Sequence, residues 1–366
     1  MTSLCIAKRI VGLTLLGACL TLGYGRAGAE GGPSSSRFMS GPVLGYVFDE
    51  GRGVVRAILG IPGAAVMADV ASTSERLAQA WISPRQDYAL TEAATDRSLG
   101  VLTWDGEAVE SRRLSGVAPR PDHVVLSAGG QAAALYYGAA RRIELVSGLP
   151  KAPRREGEVD VSGLGAAVTA LAIGEDGRRV LVGTVGPDGG MIYRISVGET
   201  GQPIAAVGQA AGIAFMPGET EALVADCAGQ QVLRVRAVMG AATVERLAGE
   251  GEGVKYPVAA TVSEDGQRVF IANGGDNSVT IVPLERGPGS QRSVRGRVTG
   301  LARLNGTSVY RLTDVGGGPL QILDGSGSEP RIVFVPAEAG GGALQVVDRA
   351  DRRRPGAALG TCGRRY

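Results

Sequence analysis

Histidine occurs once in the 366 residues, as His123, and asparagine three times, as Asn273, Asn277 and Asn305. A Ser-His-Asp triad would have to use His123 and would leave no imidazole for a metal. Neither G-x-S-x-G nor H-E-x-x-H is present, and D-x-D-x-D calcium spacing is missing. Aromatic residues make up 4% of the chain, too few for a sugar-binding face of stacked rings or the walls of a quinone pocket. The glycine-rich runs VGPDGG and DVGGG have no following G-K-[ST], which excludes phosphate loops. No C-x-x-C occurs among the four cysteines, so a cysteine zinc site is not indicated. Cys227 lies in an apolar run and Cys362 near the C-terminus. They are free to pair in an oxidising compartment. The preferred reading is two thiols, with Cys227 packed as a small hydrophobe. Stretches of ten or more residues with apolar positions at i, i+3 and i+4 are lacking between 42 and 348, which excludes a helical solenoid.

What is abundant is glycine, 58 residues with no Gly-X-Y period, spread among short apolar runs. Together with 44% hydrophobic residues this predicts an all-β protein of many short strands and tight turns. The N-terminus reads as a targeting segment. Lys8 and Arg9 precede an apolar run from Ile10 to Gly25, too short to span a bilayer, and Ala27-Gly28-Ala29 resembles a cleavage site. Leu16-Gly17-Ala18-Cys19 offers a competing lipobox, in which Cys19 would carry a lipid. The expected organisation is a signal peptide at 1–29, a flexible linker at 30–41, the folded body at 42–348 and a basic, disordered tail at 349–366. The expected location is periplasmic or extracellular, free or lipid-anchored.

Charge divides along the same boundaries. Residues 1–29 hold Lys8, Arg9 and Arg26 and no acid, while the tail holds six arginines against Asp351. With the whole chain at +2, the body 30–348 carries −6. An acidic body is the wrong electrostatic footprint for nucleic acid.

The body repeats. TVSEDGQRVFIAN begins at 261 and AIGEDGRRVLVGT at 172, sharing E-D-G-x-R-V; related stretches begin at 81, 125, 214 and 302. The spacing averages about 44 residues, which suits a four-stranded propeller blade. Each period continues with a third strand and a more polar fourth, among them VRGRVTG at 294–300. Three apolar runs at 43–49, 54–60 and 64–70 precede the six countable units, and ALQVVD at 343–348 follows them. The preferred closure is a β-propeller of seven four-stranded blades. Its seventh blade is built from the N-terminal strands and completed by the C-terminal one. Six or eight blades remain open alternatives.

The stretch SEDGQRVFIANGGDNSVTIV at 263–282 is similar to the YVTN-type propeller repeat, matching it at Ser263, Asp265, Gly266, Phe270, Ile271, Ala272, Asn273, Asn277, Val279, Thr280 and Ile281. The whole body resembles bacterial exported seven-bladed propellers of the YVTN and lactonase-like group. The resemblance implies the fold and two alternative functions. One is a non-catalytic scaffold that binds a protein partner or small polar ligand at the channel mouth. The other is a hydrolase of lactonase type, with a divalent metal where one is used. Propellers host many unrelated activities, and no catalytic residue carries over.

Ligand sites of propellers gather where the loops entering each inner strand meet the loops joining second and third strands. That rule selects Arg120, Asp122 and His123, then Lys255 and Tyr256, then Asp276, with Asp96, Arg97, Arg141, Asp188, Asp226 and Asp314 as further rim residues. The expected state is a monomer without cofactor or metal. No partner is identifiable, nucleic acid is not expected, and no membrane-spanning segment remains after leader removal.

Overall fold

The structure, a computed structural model, describes residues 41–70, 75–104, 109–285, 287–316 and 318–337. Apart from two single turns of 3-10 helix, at Ser162–Leu164 and Glu250–Glu252, every regular element among the described residues is a β-strand. The strands form seven antiparallel sheets, each built from strands consecutive in sequence. Blade I covers 43–69, II 77–113, III 123–160, IV 167–207, V 210–248, VI 257–293 and VII 302–335.

Seven separate apolar clusters define how the sheets are joined. Each cluster lies between two blades. Phe270, Val279 and Ile281 of blade VI meet Tyr310, Leu312 and Leu323 of blade VII. The closing contact joins the first and last blades, with Leu304, Val309, Leu320 and Ile322 of blade VII against Leu44, Val47 and Ile58 of blade I. Seven sheets with seven junctions make a ring, the seven-bladed propeller that the 44-residue period predicts.

Strand composition follows position in the blade. A middle strand has a neighbouring blade on both faces, so it reads as a continuous buried run. In Arg268–Asn273 every residue after the arginine is buried. A fourth strand lies at the rim, and Val109–Arg113 is exposed at every residue after the valine. Charged outer edges of this kind resist pairing with other chains.

The turns between first and second strands are linked from blade to blade. The hydroxyl of Tyr88 donates to Gly130 O at 3.0 Å, the Glu175 amide to Glu219 Oε1 at 2.6 Å, and the Glu264 amide to Ser308 Oγ at 2.9 Å. Asp265-Gly266 sits in such a connection: the Gly266 amide donates to Ser263 O at 2.9 Å, and Gly266 takes φ 72°, which glycine adopts without strain.

One sequence expectation needs correcting. The fourth strand of blade VI is Ser290–Ser293, and 294–300 is an irregular connection. Val294 and Val298 are buried there because they plug the junction with blade VII. Blade I has three strands among the described residues, and six blades have four. The segment 343–348 expected to complete blade I lies outside the described residues. So do the leader with Cys19, linker residues 30–40 and the tail.

Candidate functional site

In blades II to VII the first strand leads in from one face of the ring, and the loop between second and third strands returns to that same face. Hydrogen bonds tie the two kinds of loop together. In blade VI the Gly274 amide donates to Tyr256 O at 3.0 Å and the Gly275 amide to Lys255 O at 3.2 Å. Lys255, Tyr256 and Asp276 are therefore neighbours, and Lys255 Nζ lies 3.7 Å from Asp276 Oδ2.

A polar network holds this corner from behind. Asn273, wholly buried at the end of the second strand, accepts from the Lys255 amide at 3.1 Å. Its Nδ2 donates to Gly253 O at 3.2 Å, Ser278 Oγ at 3.0 Å and Thr280 Oγ1 at 2.9 Å. Gln291 Nε2 donates to Asp276 Oδ2 at 3.1 Å and Ser278 Oγ at 2.8 Å. Asn277 faces the next blade, where its Oδ1 accepts from the Val298 amide at 3.1 Å. Both asparagines of the repeat motif thus fasten inner-strand entry loops, one in its own blade and one in the following blade.

Tyr256 is 36% exposed. It takes φ 45° directly before Pro257, a left-handed conformation in a position that normally favours extended backbone. Its ring borders an open groove of about 370 Å³ between blades V and VI, lined by Gln230, Glu250, Lys255, Tyr256 and Gly275. The groove offers one ammonium, one carboxylate, one amide and one aromatic face.

The second predicted group, Arg120, Asp122 and His123, enters the first strand of blade III. Arg120 repeats the arrangement at Tyr256, with φ 57° directly before Pro121. Asp122 Oδ2 accepts from the Gly138 amide at 2.6 Å, fastening the loop between second and third strands. His123 begins the inner strand, partly buried, and burial pulls its imidazole down to about 4. The two groups stand on blades III and VI, and no hydrogen bond or ion pair among the described residues joins them.

Several predicted rim residues are structural. Asp226 is wholly buried, and its carboxylate accepts from the amides of Gly208 at 3.1 Å, Gln209 at 2.9 Å and Gly229 at 2.9 Å, and from Gln231 Nε2 at 3.0 Å. Asp314 pairs with Arg311 at 2.8 Å. Arg97 Nε lies 2.7 Å from Glu92 Oε1. Sequence reasoning missed Glu92, a buried carboxylate on the second strand of blade II. Burial raises its pKa, partly offset by the positive charges of Arg97 and Arg120. Among the described residues no three His, Cys, Asp or Glu side chains come together as metal ligands.

No protein-family model and no curated protein matches the chain. Solved structures do. A functionally unknown protein from Desulfotomaculum acetoxidans shares 12% identity at TM-score 0.54, over 80% of this chain and 95% of that one. A protein from Lactobacillus plantarum shares 13% at TM-score 0.55, over 80% and 96%. Matching solved chains number 935, so the likeness establishes the architecture and selects no activity.

Proposed function

We propose that this chain is an exported propeller of YVTN type whose mouth binds a small polar ligand or a polar segment of a partner protein, without catalysis. The observation that carries this reading is the groove beside Tyr256. An exposed aromatic held in a strained backbone conformation adjoins an accessible lysine, and the network around Asn273 makes the corner rigid. Concave sites with few convergent polar groups are where small ligands bind, and strained backbone is retained where the surroundings hold it in place. Export is supported by the n-region, apolar run and small-residue site of the leader, with Cys19 as the lipid-bearing alternative.

The test is a pull-down from the envelope fraction with the intact protein and with Lys255→Ala and Tyr256→Ala, alongside thermal shifts against a panel of small polar molecules. The expected result is a partner or ligand whose retention falls at least about tenfold in each variant, the loss of roughly 1.4 kcal/mol or more. A partner retained equally by both variants, or no reproducible partner and no shift, counts against the reading.

The lactonase alternative has one group in its favour, the neutral imidazole of His123 at the mouth of blade III. No hydrogen bond among the described residues orients that ring, and a general base needs such an orienting partner. Turnover across a lactone panel, abolished by His123→Gln, would replace the scaffold reading.

A further inference from the structure

The face opposite Lys255 and Tyr256 carries the turns between first and second strands, and three blades enclose a second groove there. It has a volume of about 340 Å³ and is lined by Pro84 and Arg85 of blade II, Ala128 and Gly129 of blade III, and the run from Arg303 to Gly306 of blade VII. Blades II and VII flank blade I in the ring, and their turns meet across its first strand. Two side chains hold that meeting in place. The Asn305 amide donates to Leu44 O at 2.8 Å, and Asn305 Nδ2 donates to Val43 O at 2.9 Å. Gln86 accepts from the Tyr46 amide at 2.6 Å and donates to Arg303 O at 2.6 Å. Gln86 is itself fixed: it is buried, takes φ 61°, and its carbonyl accepts from Trp104 Nε1 at 2.8 Å. Arg85 precedes Gln86 in the chain, and Arg303 is the residue that Gln86 reaches. One buried brace therefore fixes two arginines whose blades are not neighbours in the ring.

Both guanidiniums are held lightly. Arg85 Nη2 lies 3.0 Å from Asp87 Oδ2 and Arg303 Nη2 lies 3.4 Å from Glu264 Oε1, with all four side chains between 33% and 48% exposed. Exposed pairs of this kind contribute little, because water screens them and both side chains lose freedom. An incoming oxyanion can replace either carboxylate and take two parallel N–H···O bonds from each planar fork. Two further carboxylates of this face are already engaged. Glu175 accepts from Ser127 Oγ at 2.8 Å and from the Gly129 amide. Glu219 accepts from the Glu175 amide at 2.6 Å and pairs with Arg179 Nη2 at 3.1 Å. The groove beside Tyr256 is lined by both signs of charge, Lys255 and Glu250. The lining of this one has two arginines and no carboxylate among the described residues. Ala128, Gly129 and Gly306 place no large side chain in it, so a ligand has access to the backbone.

We propose that this groove is a second binding site, separate from the one beside Tyr256, for a small molecule carrying a carboxylate or phosphate group, which Arg85 and Arg303 hold from blades II and VII. Its volume is that of a small-ligand site. The two mouths of the channel then take ligands of different charge.

The test is isothermal titration calorimetry of the full chain with inorganic phosphate and, separately, with citrate. The expected result is saturable binding of at least one probe, the tighter of the two naming the class. Arg85→Gln and Arg303→Gln should each weaken it at least about tenfold. Lys255→Ala, which disables the other mouth, should leave it unchanged, so this site and the one beside Tyr256 stand or fall separately. Removing a competing carboxylate should act in the opposite direction: Asp87→Asn or Glu264→Gln frees an arginine and should tighten binding, a gain that a misfolded variant cannot produce. Absence of saturable binding of either probe at millimolar concentration overturns the assignment. So does binding that both arginine variants retain, or that Lys255→Ala weakens as much as they do.

Discussion

Two buried side chains, Asp226 and Asn273, do the same work in successive blades. Each ends a second strand and accepts from an inner-strand entry loop. Aligning the thirteen-residue repeats already places them at the same final position, so the correspondence was legible while its purpose was not. A carboxylate at 226 reads as a channel-mouth charge until burial shows that four donors enclose it. Asp226→Ala leaves those donors without their acceptor, and the expected loss is at least about 3 kcal/mol, read as a lower denaturant midpoint at unchanged slope. Asp226→Asn, which copies blade VI, should recover part of the loss. His123 makes the other residue-scale prediction. Its folded pKa is depressed to about 4 from 6.5. Between those values the unfolded chain binds the proton and the folded chain does not, so stability falls as pH drops through that window. The expected fall is about 3 kcal/mol. His123→Gln should flatten the stability profile from pH 6.5 to 4; an unchanged slope would mean the imidazole is solvated in the folded state.

Within a blade, legibility depended on burial. First, second and third strands were readable because a neighbouring blade on each face imposes an apolar run. The fourth strand of blade VI was misplaced because a rim strand carries no such constraint: Ser290–Ser293 has little apolar content, while Val294 and Val298 look like strand residues and instead fill the junction with blade VII. Phe270 shows what the sandwiched strands contribute. It is wholly buried, 5.6 Å from Tyr310 across that junction. Phe270→Ala should cost about 3–5 kcal/mol, measured by chemical unfolding. The candidate groove was half legible. The loop rule located Lys255, Tyr256 and Asp276. Gln230 and Glu250 were missed because they come from the neighbouring blade's loop and from a one-turn 3-10 segment, neither marked by the repeat. Gly275 gives a site-specific probe: a Cβ there would lie 2.8 Å from the Tyr256 ring and 3.0 Å from Lys255 O. Gly275→Ala should therefore disturb ligand retention while leaving every charge of the groove in place.

For the whole molecule, the period and the body length lead to seven blades, because a ring must close and each blade consumes about 44 residues. What the sequence does not display is how unevenly the ring is held. Stability in repeat architectures is approximately a sum over units and the junctions between them. Among the described residues, blade I combines the sparsest apolar junction, with blade II, and a closing junction with blade VII in which Ile58 is wholly buried. It should therefore be the first unit to open under native conditions. Amides in 43–69 are expected to exchange at lower opening free energy than those in 268–282, in the manner of a locally unfolding unit. Ile58→Ala should widen the difference, since it removes about 2–5 kcal/mol from a junction that only blade I and blade VII share. The matched substitution Ile271→Ala, at the junction of blades V and VI, should lower protection in 268–282 and leave 43–69 near its unmodified value. Equal exchange in the two regions of the unmodified chain, or an Ile58→Ala effect spread evenly over all seven blades, would show that the ring opens as one cooperative unit rather than from the blade where its two ends meet.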